Sequence, residues 1–409
     1  MYPKLLFLYW SVPAFLATAR SVPSRDGAAP LIRVADEHRI LGMYIVKLRD
    51  GFIAEDADDT LTAHIGSARH VYSAASFKGF TGAFDATSLQ SMRAHPHVEY
   101  VHEDSRFYLS EYTAQENAPW NIARISHRNN SDNSYVRDAS DGEGTCVYVI
   151  DTGIKTDHPD FGGRASWAAN FGGDDDIDGS GHGTFVAGIV GSNSYGVTKK
   201  AQLLAVKVTS NKGTASGSSI LAGINWVAHD VQTRDCPKGT VANLSLNGGK
   251  SQAINDAVAG LVKTGTFMAV AAGNDNVDAQ DTSPASEPSA CTVSATDEND
   301  TKAEFSNYGS VVDVWAPGTH IKSTSNDGGW ISESGTSASS PIIAGLGAYL
   351  LSLEGKRDPI ALCDRIRKLS TQGVLTNIPS GTANALAFNG NPSESACDHE
   401  NDKNGIGKK

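Results

Sequence analysis

Val147-Tyr148-Val149-Ile150-Asp151-Thr152-Gly153 sets the architecture of the chain. Four apolar residues run without alternation into an acid and a turn. So short a continuous run predicts a strand buried on both faces, as in a parallel sheet. Similar runs recur at 202–208, 241–246, 267–271 and 291–295. Between or after them lie stretches of helical composition at 183–191, 219–229, 251–264 and 341–353. The alternation predicts an α/β fold, with a mostly parallel central sheet and helices on both faces.

In such sheets, sites gather outside the carboxyl ends of the strands. Asp151 ends its strand, and Asn274 stands just past 267–271. His182 lies in Asp178-Gly179-Ser180-Gly181-His182-Gly183-Thr184-Phe185-Val186-Ala187-Gly188, where glycines let backbone approach closely. Ser337 lies in Gly335-Thr336-Ser337-Ala338-Ser339-Ser340-Pro341, with Pro341 expected in a helix's first turn. Each segment alone has a bland reading as a turn or helix cap. Together they place an acid, an imidazole and a hydroxyl in the order Asp, His, Ser, one of the convergent nucleophile arrangements. Ser337 would attack, His182 take its proton, and Asp151 hold the ring's tautomer. Asn274 would donate to the oxyanion, together with the Ser337 backbone N–H. Small-residue stretches at Gly213, Thr214 and Ala215, and at Ser245, Leu246 and Asn247, read as extended walls of a cleft. There a peptide could add as a strand, so broad endopeptidase specificity is expected.

Composition sets the wider frame. The chain has 409 residues, enough for more than one domain, with 41 glycines and a net charge of -12. Such acidity argues against nucleic-acid or anionic-membrane partners. Lys4, an apolar run over residues 5–16 and Ala17-Thr18-Ala19 read as a secretory signal peptide, cut near Ala19. The run is too short to span a bilayer, so a secreted, extracellular and monomeric product is expected. Five cysteines follow: Cys146, Cys236, Cys291, Cys363 and Cys397. Four can form two bridges in three pairings, and one is left over.

Residues 43–48 and 97–103 read as strands, 59–72 and 87–94 as helices, and 77–84 as extended. This suggests a small α/β domain ahead of the larger one. It holds six of the twelve histidines (His38, His64, His70, His95, His97 and His102), whose irregular spacing argues against a metal site. Residues 104–118 read as a polar connector, and 389–409 as a flexible tail.

These residues resemble the subtilases, and within them the proteinase K-like branch. The similarity lies in VIDTGI around Asp151, GHGTFVAG around His182, AAGN ending at Asn274, SPASEPSACTVSA at 283–295, FSNYGS at 305–310 and GTSASSP around Ser337. Upstream, YIVKL and HVEYVHEDS resemble an inhibitor-type propeptide. The resemblance implies a secreted serine endopeptidase made as a zymogen, with residues 1–19 as signal, 20–112 as propeptide, 113–390 as peptidase and 391–409 as tail. Its partners would be protein and peptide substrates, and its own propeptide as intramolecular inhibitor. It implies autocatalytic cleavage near Tyr112–Thr113 and a taste for aromatic or aliphatic residues before the scissile bond. It also implies disulfides Cys146–Cys236 and Cys291–Cys363, and structural calcium at Asp313 and the carbonyls of Pro288 and Ala290. The acidic run Asp174-Asp175-Asp176 with Asp178 reads as a solvated loop rather than a second cation site.

Five positions depart from the family pattern: Phe185 for a histidine, Val186 for a cysteine, Ala338-Ser339 for Met-Ala, and Asn247 for a glycine. Phe185, Ala338 and Ser339 motivate a second reading, a catalytically silent homologue acting as a binding protein. The intact Asp151, His182, Ser337 and Asn274 favour the enzyme. Asn129-Asn130-Ser131 is a glycosylation sequon in a polar loop, whereas Asn243-Leu244-Ser245 falls in an expected buried strand.

Overall fold

The strand that opens the argument, Thr145–Asp151, is buried along its whole length. Its side chains alternate between two cores. Val147 and Val149 pack with Val186, Ile342 and Ile343, while Tyr148 and Ile150 pack with Ile224, Val258 and Leu261. Two apolar faces require cover on both sides, and helices supply it. His182–Gly191 and Thr336–Glu354 lie on one face; Gly217–Asp230 and Gln252–Val262 lie on the other. Each fully buried Val or Ile contributes on the order of 1.5–3 kcal/mol, so the alternation fixes the strand's register as well as its place.

The computed structural model describes residues 27–34, 39–53, 57–74, 76–105 and 112–395. The expected signal segment, Cys397 and the end of the tail lie outside them. The chain divides into two compact units, Met1–Leu109 and Ser110–Lys409.

In the larger unit nine strands form one sheet. Their order is Thr371–Gln372, Ala385–Leu386, Val314–Pro317, Cys291–Thr296, Phe267–Ala271, Gly239–Leu244, Thr145–Asp151, Gln202–Lys207 and Ala165–Asn170. Every pairing is parallel except that between the first two. Thr145–Asp151 sits between Gly239–Leu244 and Gln202–Lys207, where the order of connection reverses. That reversal opens the crevice used by sites in open α/β sheets. Disulfides join Cys146 to Cys236 and Cys291 to Cys363. A bidentate pair links buried Arg124 to Asp300 at 2.8 and 3.0 Å.

The helix expected to begin at Pro341 begins at Thr336 instead, so Pro341 is inside it. Residues 112–115, expected in a connector, form the strand Tyr112–Gln115, antiparallel to Tyr135–Asp138. The edge strand at 165–170 and the inner strand at 314–317 lie outside the expected set, because Ala, Ser and Asn dilute one and Pro ends the other.

The smaller unit is a five-stranded sheet in the order Leu31–Ile32, Val98–Ser105, Arg39–Leu48, Phe77–Ala83, His70–Ala74. Two helices, Asp59–Gly66 and Ala86–Ala94, are N-capped by Asp58 and Asp85. Its core is built on Val46, Leu61, Phe80, Met92 and Val101. The helix expected over 59–72 stops at Gly66, and the β-favouring His70–Ala74 makes an edge strand. Among the described residues its histidines form no metal-ligating group of three.

Candidate active site

The parallel strands bring the expected residues to one edge of the sheet. Asp151 is fully buried, and its Oδ1 accepts from the Thr152 N–H at 2.7 Å and from His182 Nδ1 at 2.8 Å. His182 opens its helix behind Gly181, which has φ +90°. A Cβ on Gly183 would stand 2.1 Å from the Gly153 carbonyl oxygen, so only glycine lets the helix start this close to the acid's turn.

Burial opposes a charged imidazole at His182. The charge and hydrogen bond of Asp151 outweigh it, with smaller help from Glu333 and Asp178, and push His182 up to about 9. A base must be neutral to take a proton. kcat/KM is therefore expected to keep rising with pH beyond the ordinary histidine value of about 6.5. Glu333→Gln should move that acid limb to lower pH; a limb that stays put in a pH–rate profile contradicts the assignment.

Ser337 is the second residue of the Thr336–Glu354 helix. Four residues later Pro341 has no N–H, so the Ser337 carbonyl lacks its helical partner. Ser245 supplies one: its Oγ donates to the Ser337 carbonyl at 3.0 Å and contacts Ser340 Oγ at 2.9 Å. Ser245 is buried and is itself held by Asn243 Nδ2 at 2.9 Å. The proline thus sits behind the hydroxyl without leaving a buried acceptor empty.

Asn274 is oriented by a residue that motif reading passed over. Thr336 donates to Asn274 Oδ1 from its N–H at 2.8 Å and its Oγ1 at 2.9 Å. Its hydroxyl also accepts from the Gly273 N–H at 3.1 Å. With Oδ1 engaged, Nδ2 is the free donor. A Cβ on Gly335 would stand 2.9 Å from Ser337 Oγ and 3.5 Å from Asn274 Nδ2, so both atoms face one small space. The adjacency of Thr336 to Ser337 was visible; its hydrogen bonds to a residue 62 positions away were not. No hydrogen bond joins Ser337 Oγ to His182 among the described residues. Such contacts often tighten only around a substrate.

The departures have local causes. Phe185 and Val186 are fully buried in the main core. Ser339 Oγ donates to the Ala316 and Pro317 carbonyls, both at 3.1 Å. Asn247 is exposed, and its Nδ2 would lie 3.2 Å from a Cβ on Gly273. The 210–215 stretch is a closed turn rather than an extended wall: Ser210 N–H donates to the Thr214 carbonyl at 2.8 Å, Thr209 bridges Ala215, and Gly213 has φ +77°. Leu246 is half-buried against the second core. Asn129 is exposed, whereas Asn243 is fully buried.

Cys291, Asp313 and Cys363 bring three ligand-type atoms within 4.8 Å of one another. Both sulfurs are already joined in a disulfide, so Asp313 alone offers a metal-type donor there. Burial pushes its carboxyl up to about 6, although the Thr292 N–H holds one oxygen at 2.9 Å and Arg367 Nη1 stands 4.0 Å from the other. Asp174, Asp175 and Asp176 are exposed, as a solvated loop would be, but Asp178, expected in the same solvated loop, is buried.

Residues 142–377 match the model of the Subtilase family, and residues 43–110 that of Peptidase inhibitor I9. The chain is 49% identical over 379 residues to a cuticle-degrading protease of Metarhizium anisopliae, covering 93% of this chain and 97% of that one. It is 52% identical over 293 residues to proteinase T of Parengyodontium album, covering 71% and 99%. A crystal structure of a cold-adapted subtilisin-like serine proteinase superposes with a TM-score of 0.64 at 40% identity, covering 67% of this chain and 99% of that one. The chain belongs to the subtilase family, in its proteinase K-like branch, as a serine endopeptidase preceded by an I9-type inhibitor segment.

Proposed function

We propose that Ser337, His182, Asp151 and Asn274 carry out peptide hydrolysis in a secreted enzyme through an acyl-enzyme. The observation that carries this reading is the 2.8 Å Asp151–His182 bond, next to a gap faced by both Ser337 Oγ and Asn274 Nδ2. Asp151 fixes the proton on His182 Nδ1, which leaves Nε2 to accept one. Ser337 Oγ attacks the scissile carbonyl as Nε2 takes its proton. Asn274 Nδ2 and the Ser337 N–H stabilise the oxyanion. His182 then returns the proton to the leaving amine, and water repeats the sequence on the ester. A serine-directed phosphonylating reagent should label Ser337 and stop cleavage of unfolded protein. Cleavage that persists without label at Ser337 overturns the assignment.

Substrate is held between the turn that carries Gly213, Thr214 and Ala215 on one side and Leu246 and Asn247 on the other, while Ser245 acts from behind the nucleophile. Main-chain pairing makes specificity broad, with aromatic or aliphatic residues favoured before the scissile bond. The precursor is cut after Tyr112, within the strand that pairs with Tyr135–Asp138. Two disulfides suit an oxidising, extracellular setting.

A calcium ion at Asp313, with the Pro288 and Ala290 carbonyls, belongs to the same reading. The fit rests on Asp313 itself: a desolvated carboxylate with incomplete compensation suits a hard, oxygen-seeking cation. Calcium held there would supply positive charge to Asp313 and the two carbonyls, and would take no part in bond breaking. Chelation should lower Tm by about 5 °C, and Asp313→Asn should abolish that difference, as read by calorimetry.

A further inference from the structure

Asp178 has no role in the mechanism so far, yet it is 7% exposed and lies four residues before His182. A buried carboxylate without a cation in contact needs several donors to be tolerated. It has four. Oδ1 accepts from Thr152 Oγ1 at 2.6 Å and from the Gly181 N–H at 2.8 Å. Oδ2 accepts from the Thr184 N–H at 2.8 Å and Thr184 Oγ1 at 2.6 Å. Both hydroxyls are relays. Thr152 Oγ1 accepts from the Gly183 N–H at 2.8 Å, and Thr184 Oγ1 from the Lys155 N–H at 2.9 Å. The Asp178 carbonyl is pinned by Asn326 Nδ2 at 2.8 Å.

The residues so gripped are not scattered. Gly181 and Gly183 flank His182, and Thr152 follows Asp151. One carboxylate, directly and through one hydroxyl, therefore ties both neighbours of the base to the residue after the acid. The Asp151–His182 distance is set by this clamp as well as by the bond between them. The donors at Gly181 and Thr184 are also free N–H groups at the start of the His182–Gly191 helix, where a negative charge is favoured. Buried Lys207 reaches the same corner: its Nζ donates to the Thr152 carbonyl at 2.8 Å and to Asn211 Oδ1 at 2.9 Å. It offsets part of the negative charge of Asp151 and Asp178 without contacting either carboxylate.

We infer that Asp178 is a positioning residue for peptide hydrolysis, clamping the turn after Asp151 to both flanks of His182. This rests on the reading of Asp151 and His182 as acid and base. It goes further by assigning a function to a carboxylate that touches neither substrate nor the reacting atoms.

The test uses the mature enzyme, with competent sites counted by phosphonyl labelling of Ser337, so that kcat refers to folded molecules only. Misplacing a catalytic group by about 1 Å costs on the order of 10²-fold, so Asp178→Ala should lower kcat by about that factor with KM changed by less than about twofold. Asp178→Asn, which keeps the shape and part of the accepting capacity, should lose about tenfold. In both variants the acid limb of kcat/KM should move to lower pH, because a negative charge near the imidazolium is gone. Lowered thermal stability with kcat within about threefold of wild type and an unmoved acid limb overturns the proposal and leaves Asp178 a structural residue. If Asp178→Ala yields no titratable protein, Asp178→Asn and Thr152→Val are judged by the same criteria. Failure of the catalytic reading itself shows separately, as wild-type enzyme that is not labelled at Ser337.

Discussion

Ser337→Ala is expected to lower kcat by about 10⁶-fold and to leave the precursor uncut between Tyr112 and Thr113. The magnitude follows from how the site works as a unit. Without the hydroxyl no acyl-enzyme forms, and His182, Asp151 and the oxyanion donors are left with water alone. A nucleophile or its base, removed singly, costs about as much as the whole set, and the remaining 10³–10⁴ over water comes from binding and oxyanion stabilisation. Removal of the hydroxyl should leave the fold intact, because the helix anchor at this position is the Ser337 carbonyl, held by Ser245 Oγ at 3.0 Å. Kinetics on unfolded substrate and the mass of the secreted chain read both effects. An alanine variant that retains more than about a hundredth of wild-type kcat excludes Ser337 as nucleophile.

Asp151→Asn is expected to cost about 10⁴-fold in kcat, because the amide can present a donor to Nδ1 and trap the ring in the wrong tautomer. It has a second signature. Asp151 is the largest influence raising His182, so its loss leaves burial opposed only by the smaller effects of Glu333 and Asp178, and the acid limb moves to lower pH. The stability effect has a definite sign as well. A histidine raised to about 9 in the fold stabilises it below the unfolded value of about 6.5, and that contribution fades as pH rises through about 9. Asp151→Asn should therefore destabilise the protein more at pH ~6 than at pH ~10, as read by denaturant midpoints. The double variant with Ser337→Ala should be no slower than Ser337→Ala alone. An additive loss would mean that the two side chains do not act together.

The sheet was legible because runs such as Val147–Ile150 are apolar without interruption and could be placed with no partner in view. Asp151, His182, Asn274 and Ser337 stand out in the sequence because each lies at or near the end of an element with a glycine within two residues. What escaped was long-range pairing. Thr336 looks like any threonine until it is found donating to Asn274. Asp178 sits beside three aspartates that face solvent, and nothing in composition separates the buried carboxylate from the exposed ones. The start of the Thr336–Glu354 helix differs from the sequence expectation because proline ordinarily marks a helix's first turn. The structure puts it inside and satisfies the orphaned carbonyl from another strand's end. The 59–72 segment shows the same limit at short range: Gly66 ends a helix whose composition continues.

The two disulfides have a consequence beyond holding the core. They close loops of 90 and 72 residues, each stabilising the fold by about 4 kcal/mol in the chain-entropy picture. A protease that attacks unfolded chains is a predator of its own denatured state. Every molecule that opens becomes food for its folded neighbours, so working lifetime is set by how rarely opening happens and by how crowded the enzyme is. The cross-links keep that vulnerable fraction small. Their reduction should turn slow, concentration-independent inactivation into self-digestion that accelerates with enzyme concentration.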